Sequence, residues 1–149
     1  MKCVPIHRMS FDYNVEGGDD DGSWTGSTVY GGLFKDPQVV VDGKKYKILK
    51  EDIIEDDTGN KVGTIKSLST MFKTNFEIGF QGETYTVTAG NGRGAILTDG
   101  KENTVNYKLN HGLSKSYTVA EEETKMFSKE ILMFGFLVAT RILSAASVG

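Results

Sequence analysis

The stretch Ile131-Leu132-Met133-Phe134-Gly135-Phe136-Leu137-Val138-Ala139-Thr140-Arg141-Ile142-Leu143 is apolar on every side when wound as a helix, and Arg141 is the single charge between Ile131 and Gly149. Such a helix has no face for water, so it must be surrounded by protein or by lipid. Thr124 and Ser128 are candidate N-caps, with Lys129 and Glu130 in the first turn, and a helix is predicted over residues 124–149. Spanning a bilayer takes about 20 mostly apolar residues. Here the uninterrupted run is Ile131 to Thr140, and Arg141 would stand near mid-span, where a charge costs about 2.5–3.5 kcal/mol. Ser144, Ala145, Ala146 and Ser147 beyond it are small and weakly apolar. A core helix buried on all sides is therefore the expectation. A tail anchor, its β domain facing the cytosol, is the alternative.

Burial on all sides needs a wall, and the preceding residues have the pattern of one. Phe76, Ile78 and Phe80 alternate with Asn75, Glu77 and Gly79, and side chains two apart share one face of a strand. Tyr85, Val87 and Ala89 alternate with threonines, and Val105, Tyr107 and Leu109 form a further run. Asp42-Gly43, Asp56-Asp57-Thr58-Gly59-Asn60, Gln81-Gly82 and Thr98-Asp99-Gly100-Lys101 supply turns between alternating segments. Ser116 to Val119 closes the series. Strands at 8–12-residue spacing predict an antiparallel sandwich or barrel, and a sheet with one apolar face closes around an apolar helix without leaving exposed edges. The fold expected is mainly β, an antiparallel barrel enclosing the C-terminal helix. One domain spans 1–149: an irregular Gly/Asp-rich start over 1–35 with short strands near Tyr13 and Val29, antiparallel strands over 36–120, and the helix over 124–149.

Composition narrows the function classes. The chain has 149 residues, 38% apolar and 25% charged, with a net charge of -3, and this gives no field of the kind that attracts nucleic acid. Cys3 is the single cysteine, so no intramolecular disulfide forms and a reducing, cytoplasmic compartment is the expectation. Met1 to Ser10 holds Lys2 and Arg8 and no apolar core, so no secretory signal is read there.

The segment Asp56-Asp57-Thr58-Gly59-Asn60-Lys61-Val62-Gly63-Thr64-Ile65 resembles the "turn, Gly, Val-Gly-x-Ile" hairpin of the scramblase, LURP-one-related and tubby-like group. Tyr117-Thr118-Val119-Ala120-Glu121-Glu122, followed by Ile131 to Leu143, is similar to that group's last strand, acidic link and apolar helix. The resemblance covers residues 36 to 149 and implies a twelve-stranded barrel threaded by its C-terminal helix. The N-terminal Gly/Asp-rich segment has no counterpart in it, and the family helix often carries an acidic residue where Thr140-Arg141 stand.

Few residues are arranged for chemistry. Asp57-Thr58-Gly59 spells the aspartic-protease triplet, where a buried Asp follows an apolar strand, but Glu55, Asp56, Asn60 and Lys61 around it mark a solvated turn. Asp19-Asp20-Asp21-Gly22 lacks the carboxylates a calcium loop needs, since Gly17 and Thr28 fall at positions 1 and 12. Gly90-Asn91-Gly92-Arg93-Gly94 does not lead into a helix, as a phosphate-cradling loop does. Cys3, His7 and His111 do not complete a metal set. The densest basic cluster is Lys44, Lys45, Lys47 and Lys50, a solvated strand face or a contact for anionic lipid headgroups. The solvated face is the leading reading, and the resemblance raises the second, because tubby-like domains bind phosphoinositides, without mapping a family headgroup site onto these lysines. The expectation is a non-enzymatic binding or scaffold module without cofactor or metal. Its partner would be an anionic phospholipid or a protein, with membrane association in the first case and no role for nucleic acid.

Overall fold

The computed structural model describes residues 1–7, 10–19, 22–31, 35–68, 75–90, 94–110 and 116–148. Twelve strands follow one another: β1 (Lys2–Pro5), β2 (Tyr13–Asp19), β3 (Gly22–Val29), β4 (Gln38–Val41), β5 (Lys44–Leu49), β6 (Asp52–Glu55), β7 (Lys61–Ser67), β8 (Asn75–Phe80), β9 (Glu83–Ala89), β10 (Gly94–Thr98), β11 (Thr104–Leu109) and β12 (Tyr117–Thr118). Each pairs antiparallel with its sequence neighbours, and β1 pairs with β12 through Lys2–Thr118 and Cys3–Tyr117, which closes a barrel. Beside that seam the Val119 N–H donates to the Met1 carbonyl at 2.9 Å.

Alternation places one apolar row per strand inside. Val39 and Val41, Tyr46 and Ile48, Ile78 and Phe80, and Val105 and Tyr107 are all buried, while their neighbours point outward. Inside lies α2 (Lys129–Val148), preceded by the four-residue helix α1 (Glu121–Thr124). α2 packs against β3 and β4 on one side and β8, β9 and β10 on the other. In a ring of twelve, β3 and β9 stand opposite each other, so the helix occupies the lumen. Every residue from Ile131 to Thr140 is buried. The sequence expectation of a helix enclosed by strands is what the structure shows, and no helix among the described residues is long and apolar enough to cross a membrane.

The fit is made by aromatic rings and by glycines. Phe134 meets Tyr46 and Phe80 edge-on, each at 5.3 Å between centroids, and Phe136 meets Tyr13 at 4.9 Å and Tyr117 at 5.1 Å. Gly135 leaves the slot for Tyr107, whose buried hydroxyl donates to the Leu132 carbonyl at 2.8 Å. Gly26 on β3 makes room in the same way, since a Cβ there would stand 2.8 Å from the Met133 methyl.

Two boundaries differ from the sequence reading. The start of the chain is not irregular: it forms β1, β2 and β3, with β2 and β3 paired from Tyr13–Thr28 to Asp19–Gly22. Gly17 fits a strand because the Trp24 ring occupies the space of the missing side chain. The long helix starts at Lys129 and not at 124. Ser128 caps it by accepting the Ile131 N–H at 3.3 Å, while the Thr124 hydroxyl donates back to the Glu121 carbonyl at 2.7 Å and ends α1.

Odd-numbered strands all run toward the same end of the barrel. The helix enters at the opposite end, where the Lys129 ammonium meets the Asp42 carboxylate at 2.7 Å in the β4–β5 turn. It rises roughly 1.5 Å per residue, so Arg141 lies about 18 Å farther on. Its guanidinium there sits 5.7 Å from the centre of the Tyr30 ring, just beyond β3.

Candidate functional site

β5 carries three of the four lysines read as a lipid contact, and its geometry keeps the four apart. Lys45 and Lys47 leave the outer face, while Lys44 shares a side with buried Tyr46 and Ile48 and projects at the helix-entry end. Lys50 lies past the strand at the other end, so six residues at about 3.3 Å each separate it from Lys44 by roughly 20 Å. Two of the lysines are already paired across the β5–β6 hairpin: Lys44 with Glu55 at 3.2 Å and Lys47 with Asp56 at 3.0 Å. The hydrogen bond to Glu55, with smaller contributions from Tyr46, holds the Lys44 ammonium above its ordinary pKa. Burial raises the Tyr46 phenol in turn. These four residues do not converge on one headgroup.

Lys50 instead stands beside a residue that strand spacing does not point to. The β5–β6 turn holds Lys50 at φ 59, and the carbonyl of the next residue, Glu51, accepts the Ile65 N–H at 2.8 Å, tying the turn to β7. Together with Arg141 and Ser67, these residues edge a cavity of about 130 Å³ between α2 and the wall. Its deeper lining is apolar: Ile48 and Ile65 from β5 and β7, Phe76 from β8, and Leu137 and Val138 from the helix. Leu137 and Val138 are fully buried, Lys50, Glu51 and Ser67 are exposed, and Arg141 is half-buried, so the polar groups lie toward solvent and the apolar ones behind them.

The same end of the barrel exposes apolar side chains. Leu49 ends β5, Leu68 follows β7, and Ile6 and Phe11 belong to the β1–β2 connection; all four are between 36% and 45% exposed. At the opposite end Asp42, Glu55 and Asp56 in and beside the turns are paired with Lys129, Lys44 and Lys47, Glu121 and Glu122 stand on α1, and Met126 just after it is 63% exposed. The signal for this end was Arg141, the lone charge of the apolar tail. In sequence it reads as a cost to membrane insertion, and in the barrel it marks where the helix reaches the rim.

The remaining sequence motifs fall elsewhere. Asp57-Thr58-Gly59 is an exposed turn in which the Gly59 N–H donates to the Glu55 carbonyl at 2.8 Å and the Asn60 N–H to the Thr58 hydroxyl at 3.2 Å. Cys3 points into the core, where burial raises its thiol pKa, and His7 is exposed. Among the described residues no group of three or more His, Cys, Asp or Glu side chains is placed to hold a metal ion. Asp19 pairs with Gly22 in the β2–β3 hairpin; Asp20 and Asp21, residues 91–93 of the glycine loop, and His111 lie outside the described residues. Comparison with protein-family models, curated proteins and solved structures finds no match to this chain.

Proposed function

We propose that this protein is a non-enzymatic binding module of the tubby-like kind that attaches to anionic phospholipid surfaces through the barrel end where its helix finishes. One observation supports this most: Lys50 and Arg141 stand at that end among the exposed side chains of Leu49, Leu68, Ile6 and Phe11. Apolar side chains that enter the headgroup region, together with cations that neutralise lipid phosphates, are the two components of interfacial binding.

The contact differs from the one expected along β5. Lys44 and Lys47 are engaged with Glu55 and Asp56, and Lys45 lies on the side wall. Each cation near an anionic membrane contributes about 1 kcal/mol, so removing two should weaken partitioning roughly 30-fold. Co-sedimentation with vesicles of phosphatidylcholine and phosphatidylserine tests this. Lys50→Asn together with Arg141→Gln should show that loss, Lys45→Gln together with Lys47→Gln should bind nearly as the parent does, and added salt should weaken the parent. Binding that is equal on pure phosphatidylcholine, or that is lost with the Lys45 and Lys47 changes instead, would contradict the proposal. Absence of vesicle binding would direct the search to a protein partner.

A further inference from the structure

In the turn between β5 and β6 the backbone asks for a residue that the sequence does not supply. Leu49 pairs with Asp52, which leaves Lys50 and Glu51 as a two-residue hairpin turn. Lys50 has φ 59, and Glu51 is not among the residues of positive φ. That combination is the type II′ pattern, whose first central position favours glycine because a Cβ there crowds the backbone. Two other two-residue hairpins are built differently. Asp42-Gly43 and Gln81-Gly82 have positive φ at both central residues, the type I′ pattern, with glycine in second place. The β5–β6 turn has no glycine at all. It is held nonetheless, because the Glu51 carbonyl accepts the Ile65 N–H at 2.8 Å and β6 is paired on both sides.

Backbone strain persists where the residue that bears it serves another purpose. What Lys50 adds is a cation at the tip of a fixed turn. Among the described residues no carboxylate pairs with its ammonium, whereas Lys44, Lys47, Lys61 and Lys129 each have one. Leu49 immediately before it is exposed, and so is Leu68 just beyond β7. Leucines of this kind enter the headgroup layer while a neighbouring ammonium stays at the level of the phosphates. We infer that Lys50 is a specificity-determining residue for anionic over zwitterionic lipid, kept at a turn position where glycine would fold better. This rests on the membrane reading above and deepens it, because it assigns the charge preference to a strained turn.

The test measures folding and partitioning on the same full-length variants, by urea unfolding and by co-sedimentation with phosphatidylcholine vesicles made with and without phosphatidylserine. Lys50→Gly should raise the folded-to-unfolded ratio about fivefold. It should weaken partitioning to the phosphatidylserine vesicles about fivefold, the worth of one cation at a charged surface, and bind pure phosphatidylcholine as the parent does. Lys50→Arg keeps both the charge and the strain and should match the parent in both assays. Gln81→Gly places a new glycine in the β8–β9 turn at the opposite end of the barrel and should leave partitioning unchanged, which separates loss of the cation from gain of a glycine. Equal partitioning of parent and Lys50→Gly, on vesicles that the parent prefers to pure phosphatidylcholine, overturns the inference and leaves the membrane reading standing. A Lys50→Gly chain no more stable than the parent also overturns it, since the turn is then unstrained. A parent that binds neither kind of vesicle overturns the membrane reading and the inference with it.

Discussion

Gly135→Ala and Tyr107→Phe, made singly and together, test how the helix is seated in the barrel. A methyl group at residue 135 would strike the Tyr107 hydroxyl and approach the Leu97 Cδ2 and Tyr107 Cζ atoms at 3.3 Å. Tyr107 is fully buried and its hydroxyl is held by the Leu132 carbonyl. Alanine gains about 1 kcal/mol over glycine in a helix interior. Against this, overpacking costs about 1–3 kcal/mol, and displacing the phenol loses a hydrogen bond of about 1 kcal/mol. Gly135→Ala is therefore expected to destabilise by about 1–3 kcal/mol. Tyr107→Phe alone should cost about 1 kcal/mol, because the Leu132 carbonyl keeps its bond within the helix ladder. In the double variant the missing hydroxyl vacates the space the methyl needs. Its loss should be about 1 kcal/mol or less, not the 2–4 kcal/mol that the single changes sum to. Urea unfolding at constant slope gives the three differences. If the double variant loses the sum of the single ones to within about 0.5 kcal/mol, the two groups do not compete for one space and the seating described is wrong.

Two further tests address charge and access. Asp42 has its carboxyl held below the ordinary 3.8, first by the hydrogen bond from Lys129 and then by the Thr25 N–H. A depressed folded pKa gives stability that is present above the unfolded value and fades as pH falls through the folded one. Asp42→Asn should therefore lower the melting temperature at pH 7, and the gap from the parent should close as the pH is taken down from 3.8; a gap that persists in acid would show that the ion pair is not its cause. The Cys3 thiol is buried and its pKa is raised by desolvation. It should resist alkylation at pH 8 in the folded protein and react at the rate of a free thiol in urea, whereas rapid labelling of the native chain would mean that the β1–β12 seam is open.

Much of the barrel is legible because strand alternation is a local property. Phe76, Ile78 and Phe80 declare β8, and Asp42-Gly43 declares a hairpin, before any partner is known. The first three strands are harder because the pattern depends on what fills the barrel. Gly17 and Gly26 read as loop residues, yet each lies in a strand where the Trp24 ring or Met133 takes the space of a side chain. Only the tertiary contact distinguishes the two. The helix was visible from its uniform apolarity, but composition left Thr124 and Ser128 both open as its cap, and the break at Lys125 to Ser128 depends on α1 docking. There, Glu123 accepts the Asn106 backbone N–H at 3.1 Å as well as its side-chain amide.

The candidate site was less legible. Spacing tells which side of β5 a lysine leaves, and it correctly sets Lys45 and Lys47 opposite Tyr46 and Ile48. It does not show that Glu55 and Asp56 return across the hairpin to pair with Lys44 and Lys47, nor that Lys50 is carried to the far rim. The pairing of Lys50 with Arg141 around one cavity joins residues on a turn and a helix far apart in the chain, and it follows from closure of the barrel around that helix. No local pattern encodes it.

The enclosed helix is the centre of the account, and hydrogen exchange of the backbone amides of residues 131–142 in detergent-free solution tests it most directly. Amides of a helix inside a closed barrel exchange only when the whole structure opens. The expected result is protection equal to that of β5 and β9, lost in a single cooperative step as urea is added. Exchange of the helix within minutes while the strands stay protected, or protection that appears only with detergent or vesicles, would contradict it.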